Sequence, residues 1–247
     1  MKYPNYKDKH LEEAFFNPDD YIKYRKFLET HKNLPSKYII IYYERILNYF
    51  KENYDYEEID LSGLLTIYKH NDVGVVLMKG IGSPHATTCL EELIALGGKI
   101  FLNIGSAGGL NGFGTFLCEK AIRDEGTSHH YEKSEKYSYP DPVLKEKLGK
   151  SLEKNNIEFK EGTTWTIDTP YRETKAEIDS YRKEGVATVE MEASALFTVA
   201  KYRNVKMAAA FVVTDSLNKE YKPMFHADEI NNTLNKVFKA GVETLIN

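Results

Sequence analysis

Glu190-Met191-Glu192 sets two carboxylates around a methionine, where the apolar run Val186 to Val189 meets the helix-spaced residues Ala193, Leu196, Phe197 and Ala200. Buried acids are rare unless they are paired or bound to something that wants them. Near the N-terminus of the following helix, negative charge is favourable, which is one use for both. The other is to accept hydrogen bonds from two neighbouring hydroxyls, as a ribose offers, with Met191 packed on the apolar face of the sugar. Asp215 ends a second apolar run, Met207 to Thr214. It is expected either at the C-terminal edge of a sheet, where α/β proteins bind ligands, or as a helix cap or solvated turn. A third feature is Lys99 to Leu110, an apolar run that breaks into Gly105-Ser106-Ala107-Gly108-Gly109. It reads as a buried strand ending in a glycine turn whose backbone N–H groups can approach a ligand. The turn lacks the Lys-Ser/Thr ending of a P-loop and the spacing of a dinucleotide fingerprint.

Strands and helices alternate in the order needed to carry these residues. Tyr38 to Tyr42 reads as a strand and Glu44 to Phe50 as a helix; Leu64 to Tyr68 and Val73 to Met78 read as a hairpin joined at Asn71-Asp72. Gly80-Ile81-Gly82 follows, with Ser83 as the expected N-cap and Pro84 at the first helical position. Ala86, Cys89, Leu90, Leu93 and Ile94 share a helical face, and Gly97-Gly98 stops that helix before Ile100 to Ile104. This is the βαβ grammar of a parallel sheet. Beyond it come a strand at Thr115 to Ile122, a helix from Pro140 to Asn155, a strand ending near Asp168, a charged helix from Glu173 and a closing helix with Ile230, Leu234, Val237 and Leu245. Residues 1–36 are polar and aromatic and read as an arm on one domain spanning 37–247, with Asn17-Pro18-Asp19-Asp20 opening a helix through Tyr21, Tyr24, Phe27 and Leu28.

The chain has 247 residues, enough for one large core, and carries 33 basic residues scattered among 37 acidic ones for a net charge of −4. That balance argues against nucleic acid or an anionic membrane as the main partner. Cys89 and Cys118 lie in apolar surroundings and are expected to be buried thiols in a reducing compartment; neither a disulfide framework nor zinc spacing is present. No apolar run reaches membrane-spanning length and the first residues lack a signal-peptide core, so a soluble, cytoplasmic protein is expected.

The glycine turn Gly80 to Pro84, the stretch Asn103 to Gly109, Val189 to Ala193 and Thr214-Asp215 occur in the order and at roughly the spacing of the nucleoside phosphorylase superfamily. Ala121 to Tyr131 is most similar to its uridine phosphorylase branch. The resemblance implies a single-domain three-layer α/β/α sandwich around a mixed, partly barrel-like sheet. It also implies cleavage of an N-glycosidic bond by inorganic phosphate, releasing free base and ribose 1-phosphate, with no metal or organic cofactor. On this resemblance Gly105 and Ser106 face the sugar and the nucleophile, Glu192 holds the ribose 2′- and 3′-hydroxyls, Met191 backs the sugar and Glu190 lies beside it. Asp215 matches the acid with which purine-specific members protonate the leaving base. Chemically, the site must stabilise an oxocarbenium-like ribosyl group and improve the leaving group, which requires an acid of raised pKa. A homo-oligomer, a dimer or a trimer of dimers, is also implied.

Two departures bear on the reaction. Where phosphorylases carry Gly-Asp-Pro-x-Arg after the first strand, this chain has Tyr42-Tyr43-Glu44-Arg45, keeping only Arg45, and Asn103 stands where they carry an arginine. The expected phosphate ligands are therefore Arg45, Ser106 and Asn103, with Lys79, His85, Arg123 and Arg172 as replacement cations. Asn103 is similar to the methylthioadenosine and adenosylhomocysteine nucleosidases, which use water, so hydrolysis is the alternative; nucleoside binding without turnover is a third. The glutamine with which uridine-type members read a pyrimidine is absent from Asp168 to Thr174; Arg172 can meet a base carbonyl and Tyr171 or Trp165 can stack on a ring. Asp215 favours purines.

Overall fold

The computed structural model describes residues 3–133, 135–218 and 220–247. The elements in chain order are α1 (Pro18–Tyr24), α2 (Phe27–Thr30), β1 (Lys37–Ile41), α3 (Glu44–Asn53), β2 (Glu57–Leu61), β3 (Leu65–His70), β4 (Val73–Leu77) and α4 (Ser83–Ala95). They continue as β5 (Ile100–Gly109), β6 (Thr115–Asp124), β7 (Tyr137–Ser138), α5 (Pro142–Lys154), β8 (Lys160–Ile167), α6 (Lys175–Lys183) and β9 (Val186–Glu190). The chain closes with α7 (Ala193–Tyr202), β10 (Lys206–Ser216), β11 (Lys222–Pro223) and α8 (Asp228–Ile246).

Strand β5 organises the sheet because it is ten residues long and serves two structures. One edge pairs with β10 in parallel along its whole length. The other pairs with β1 near its start, Ile39 opposite Leu102, and with β9 near its end, Val189 opposite Gly108. The ring β5, β10, β6, β8, β9 thereby closes into a five-stranded barrel, and β1, β4, β3 and β2 extend from it as an open sheet. The expected glycine turn at Gly105 to Gly109 is thus strand. Its glycines are there for close approach: a Cβ on Gly108 would stand 2.8 Å from Leu217 Cδ1 and 3.0 Å from Val189 Cγ1, where β9 and β10 close in.

Side chains alternate across β5 and feed two cores. Phe101 and Ala107 join Ile40, Leu90, Leu93, Leu196 and Phe197 under α4 and α7. Leu102 and Ile104 join Ile39, Ile41, Phe50, Leu148, Val237 and Phe238 under α3, α5 and α8. Ile39, Ile40 and Ile41 are all fully buried, as expected of a parallel strand covered on both faces, each contributing about 1.5–3 kcal/mol. A third cluster, with Trp165, Ile178, Val186 and Val189, lies against α6. The result is the three-layer α/β/α arrangement with a barrel-like centre.

The hairpin expectation holds for β3 and β4, which pair antiparallel. The acidic edge strand β2 was not expected; only its Ile59 and Leu61 face inward. In the arm, the expected continuous helix breaks at Lys26, whose φ is 56°, and Ile22 and Phe27 make the buried contacts while Tyr24 stays exposed. Cys89 and Cys118 are free and buried. Among the described residues no helix is long and apolar enough to cross a membrane.

Candidate active site

Five strand ends meet at one edge of the sheet: β1, β4, β5, β9 and β10. The two acids around Met191 take different jobs there. Glu190, the last residue of β9, accepts three hydrogen bonds: Thr166 Oγ1 at 2.5 Å, and the N–H groups of Glu192 at 2.8 Å and Ala193 at 2.7 Å. It caps the start of α7, satisfying donors the helix leaves open, and is spent on structure rather than offered to a substrate. Glu192 instead reaches across to the turn after β4, where Oε1 accepts the Gly82 N–H at 2.5 Å. Alongside, Ser83 Oγ donates to the Met191 carbonyl at 2.7 Å. The expected N-cap of α4 is thus displaced by one: Gly82, at φ 96°, is the cap, and Ser83 is used to hold the Met191 backbone.

Burial raises the Glu190 and Glu192 carboxyls above the usual carboxylate range, and the nearness of Glu192 adds to the rise at Glu190. Tyr42 faces this pair: its hydroxyl is pushed well up by burial first and then by Glu192 and Glu190. Its ring covers Gly105, where a Cβ would come within 3.1 Å of Tyr42 Cδ2. Gly105 therefore admits a tyrosine to the site.

Asp215, near the end of β10, lies opposite Gly108, and its Oδ2 would be 3.5 Å from a Cβ placed there. Burial raises its carboxyl, against a hydrogen bond from Thr214 Oγ1 at 3.1 Å. Glu173, from the loop after β8, lies within charge–charge reach; burial and then Asp215 push it up to about 7. Both half-buried acids are thus shifted upward, the direction that favours holding a proton.

Ser106 meets Tyr43, which residue type and spacing alone did not mark as a site residue. Its Oγ is 2.6 Å from the Tyr43 hydroxyl, and the Arg45 guanidinium sits over the Tyr43 ring, 4.3 Å from its centroid. Arg45 Nη1 donates to the Phe225 carbonyl at 3.0 Å, while Nε and Nη2 are buried without a partner. Asn103, three residues before Ser106, points to the opposite face of β5, fully buried, with both amide atoms unpartnered. Of the three expected phosphate ligands, Arg45 and Ser106 meet at Tyr43, and Asn103 lies on the other face of β5.

Two other assignments need correction. Trp165 has no exposed surface; it donates Nε1–H to Asp124 at 2.9 Å and packs on Tyr181, so it belongs to the core under α6 and stacks on no base. Arg123, a candidate replacement cation, is committed to Ser128 Oγ and the carbonyls of Lys133 and Glu132. Arg172 is exposed at the end of a short 3-10 turn, next to Glu173.

Fold and site together define an α/β protein with a carboxylate-lined site at its strand ends. The chain belongs to the phosphorylase superfamily, whose family profile matches residues 42–246. It is 28% identical over 170 residues to a guanosine phosphorylase of Halorubrum lacusprofundi, covering 67% of this chain and 68% of that protein. To a purine nucleoside phosphorylase of Plasmodium vivax it is 26% identical over 172 residues, covering 67% and 70%. Among solved structures, an AMP nucleosidase from Bacteroides thetaiotaomicron superposes with a TM-score of 0.75 at 21% identity, covering 94% of this chain and 99% of that one. A Toxoplasma gondii purine nucleoside phosphorylase in complex with immucillin-H gives 0.72 at 17%, covering 86% and 92%.

Proposed function

We propose that this chain breaks the N-glycosidic bond of a nucleoside, purine by preference, and passes the ribosyl group to an acceptor at C1′. The observation that carries this reading is the Glu192–Gly82 bond, which fixes a buried carboxylate between the β9–α7 junction and the turn after β4, with Met191 beside it. In this reading Glu192 accepts the 2′- and 3′-hydroxyls, and its charge favours the ribosyl cation as the bond lengthens. Asp215 donates a proton to the departing base, and burial raises its carboxyl in the direction a general acid needs. Glu190 and Thr166 hold the backbone from which Glu192 projects.

Two acceptors are open to the reaction. The phosphorylase names of the curated relatives and the unpartnered nitrogens of Arg45 support phosphate, which would give ribose 1-phosphate. Asn103 and the likeness to an AMP nucleosidase support water. Self-association belongs to the same proposal, supported by the exposed Leu11, Phe15 and Phe16 of the arm. Incubation of the protein with inosine, adenosine, guanosine and uridine, with base release followed by absorbance, tests the central reading: it expects release from a purine nucleoside and is overturned by none from any.

A further inference from the structure

Arg45 and Ser106 are the groups that would greet an anion, and one side chain occupies both. Tyr43 spans them: its hydroxyl is 2.6 Å from Ser106 Oγ, and its ring carries the Arg45 guanidinium 4.3 Å from the centroid. Nε and Nη2 of the stacked Arg45 are buried without a partner, while Nη1 is taken by the Phe225 carbonyl. The Tyr43 backbone is anchored as the N-cap of α3, its carbonyl accepting the Ile46 N–H at 3.0 Å, and its hydroxyl is tied to Ser106. On the other face of β5, Asn103 supplies an amide and no charge.

A phosphate dianion stripped of water needs cationic, preferably bidentate, partners, and a lone hydroxyl does not repay that desolvation. Water needs no such compensation. We infer that Tyr43 selects the acceptor: by filling the space between Arg45 and Ser106 it keeps inorganic phosphate out and leaves water as the molecule that attacks C1′. This rests on the glycosidic-cleavage reading above. In the step, the water oxygen bonds to C1′ while the C1′–N bond breaks and its electron pair leaves with the base. Asp215 protonates the base, and the proton shed by water returns through solvent to the Asp215 carboxylate, so that nucleoside and water become ribose and free base. Tyr43 is a specificity-determining residue here; it neither gives nor takes a proton.

The test compares wild type, Tyr43→Phe and Tyr43→Ala in two readouts: base release over a phosphate titration with the sugar product identified, and inorganic phosphate binding by calorimetry. Wild type is expected to release base at a rate independent of phosphate, yield ribose and bind phosphate negligibly. Tyr43→Phe keeps the ring and is expected to stay phosphate-independent. Tyr43→Ala uncovers Arg45 and Ser106 and is expected to bind phosphate at least about tenfold more tightly and to form ribose 1-phosphate. A wild-type rate that rises with phosphate and yields ribose 1-phosphate overturns the selection by Tyr43 while leaving glycosidic cleavage intact. So does a folded Tyr43→Ala that binds phosphate no better than wild type. If no variant releases base, glycosidic cleavage fails, and calorimetry still decides whether Tyr43 bars phosphate. If Tyr43→Ala does not fold, phosphate binding and sugar product of wild type and Tyr43→Phe decide it.

Discussion

Glu192 accepts the Gly82 N–H at 2.5 Å across 110 residues of sequence, and that contact joins the two halves of the site. In the proposed reaction it sets where the sugar would be gripped, because the carboxylate belongs to the β9–α7 junction and the amide to the entry of α4. Replacing Glu192 with alanine would remove that proposed grip and leave the Gly82 N–H without its carboxylate partner. The expected result is a fall in kcat/KM of about a hundredfold or more for every nucleoside turned over, with the circular dichroism spectrum retained.

Glu190 should behave differently despite standing two residues away. Its carboxylate accepts three hydrogen bonds, and glutamine would aim an amide N–H at one of those donors. Glu190→Gln is therefore expected to lower unfolding stability by about 1–3 kcal/mol in denaturant titrations. An unchanged midpoint would show that the cap is dispensable.

For Asp215, the prediction turns on the leaving group. Asp215→Asn is expected to slow inosine cleavage by about a hundredfold or more and to spare 7-methylinosine, whose base already carries the positive charge that protonation supplies. In the wild type, the inosine rate should fall as pH rises through the upward-shifted Asp215 pKa, because the acid is then lost. Equal damage to both substrates would assign Asp215 to binding alone.

The carboxyl of Glu173, pushed from 4.5 up to about 7, makes a prediction with a definite sign. A folded-state pKa above the unfolded one contributes stability that is complete below pH 4.5 and lost as pH rises through about 7. Glu173→Gln should leave the melting temperature unchanged at pH 4 and raise it at pH 8. Because Glu173 is partly exposed and screened, the gain should stay under about 2 °C. A gain at pH 4 instead would contradict the assignment.

Much of this was legible in residue order. The periodicity around Ala86 to Ile94, the apolar runs Tyr38 to Tyr42 and Met207 to Thr214, and the glycines after Ile104 place the β1–α4–β5–β10 frame, since buried parallel strands and one-faced helices leave strong patterns. Glu192 and Asp215 could be picked out because a carboxylate at the end of an apolar strand is costly without a reason. What local patterns could not show was direction and partnership. Whether Gly105 to Gly109 turns or continues depends on β9 and β10 closing around it, a contact between residues about 80 to 110 positions apart. Trp165 is a core ring because α6 brings Tyr181 onto it. Tyr43 was visible only as part of a missing phosphate motif, and its bond to Ser106 depends on how α3 leaves β1. Which of Glu190 and Glu192 caps the helix follows from backbone geometry that their identical chemistry conceals.

The measurement that bears most directly on the whole account is hypoxanthine release from inosine by the wild-type chain and by Glu192→Ala at matched protein concentration. Steady turnover is expected from the first and a rate at least about a hundredfold lower from the second. Equal rates from the two proteins, or no release by wild type from inosine or any other nucleoside, would contradict it.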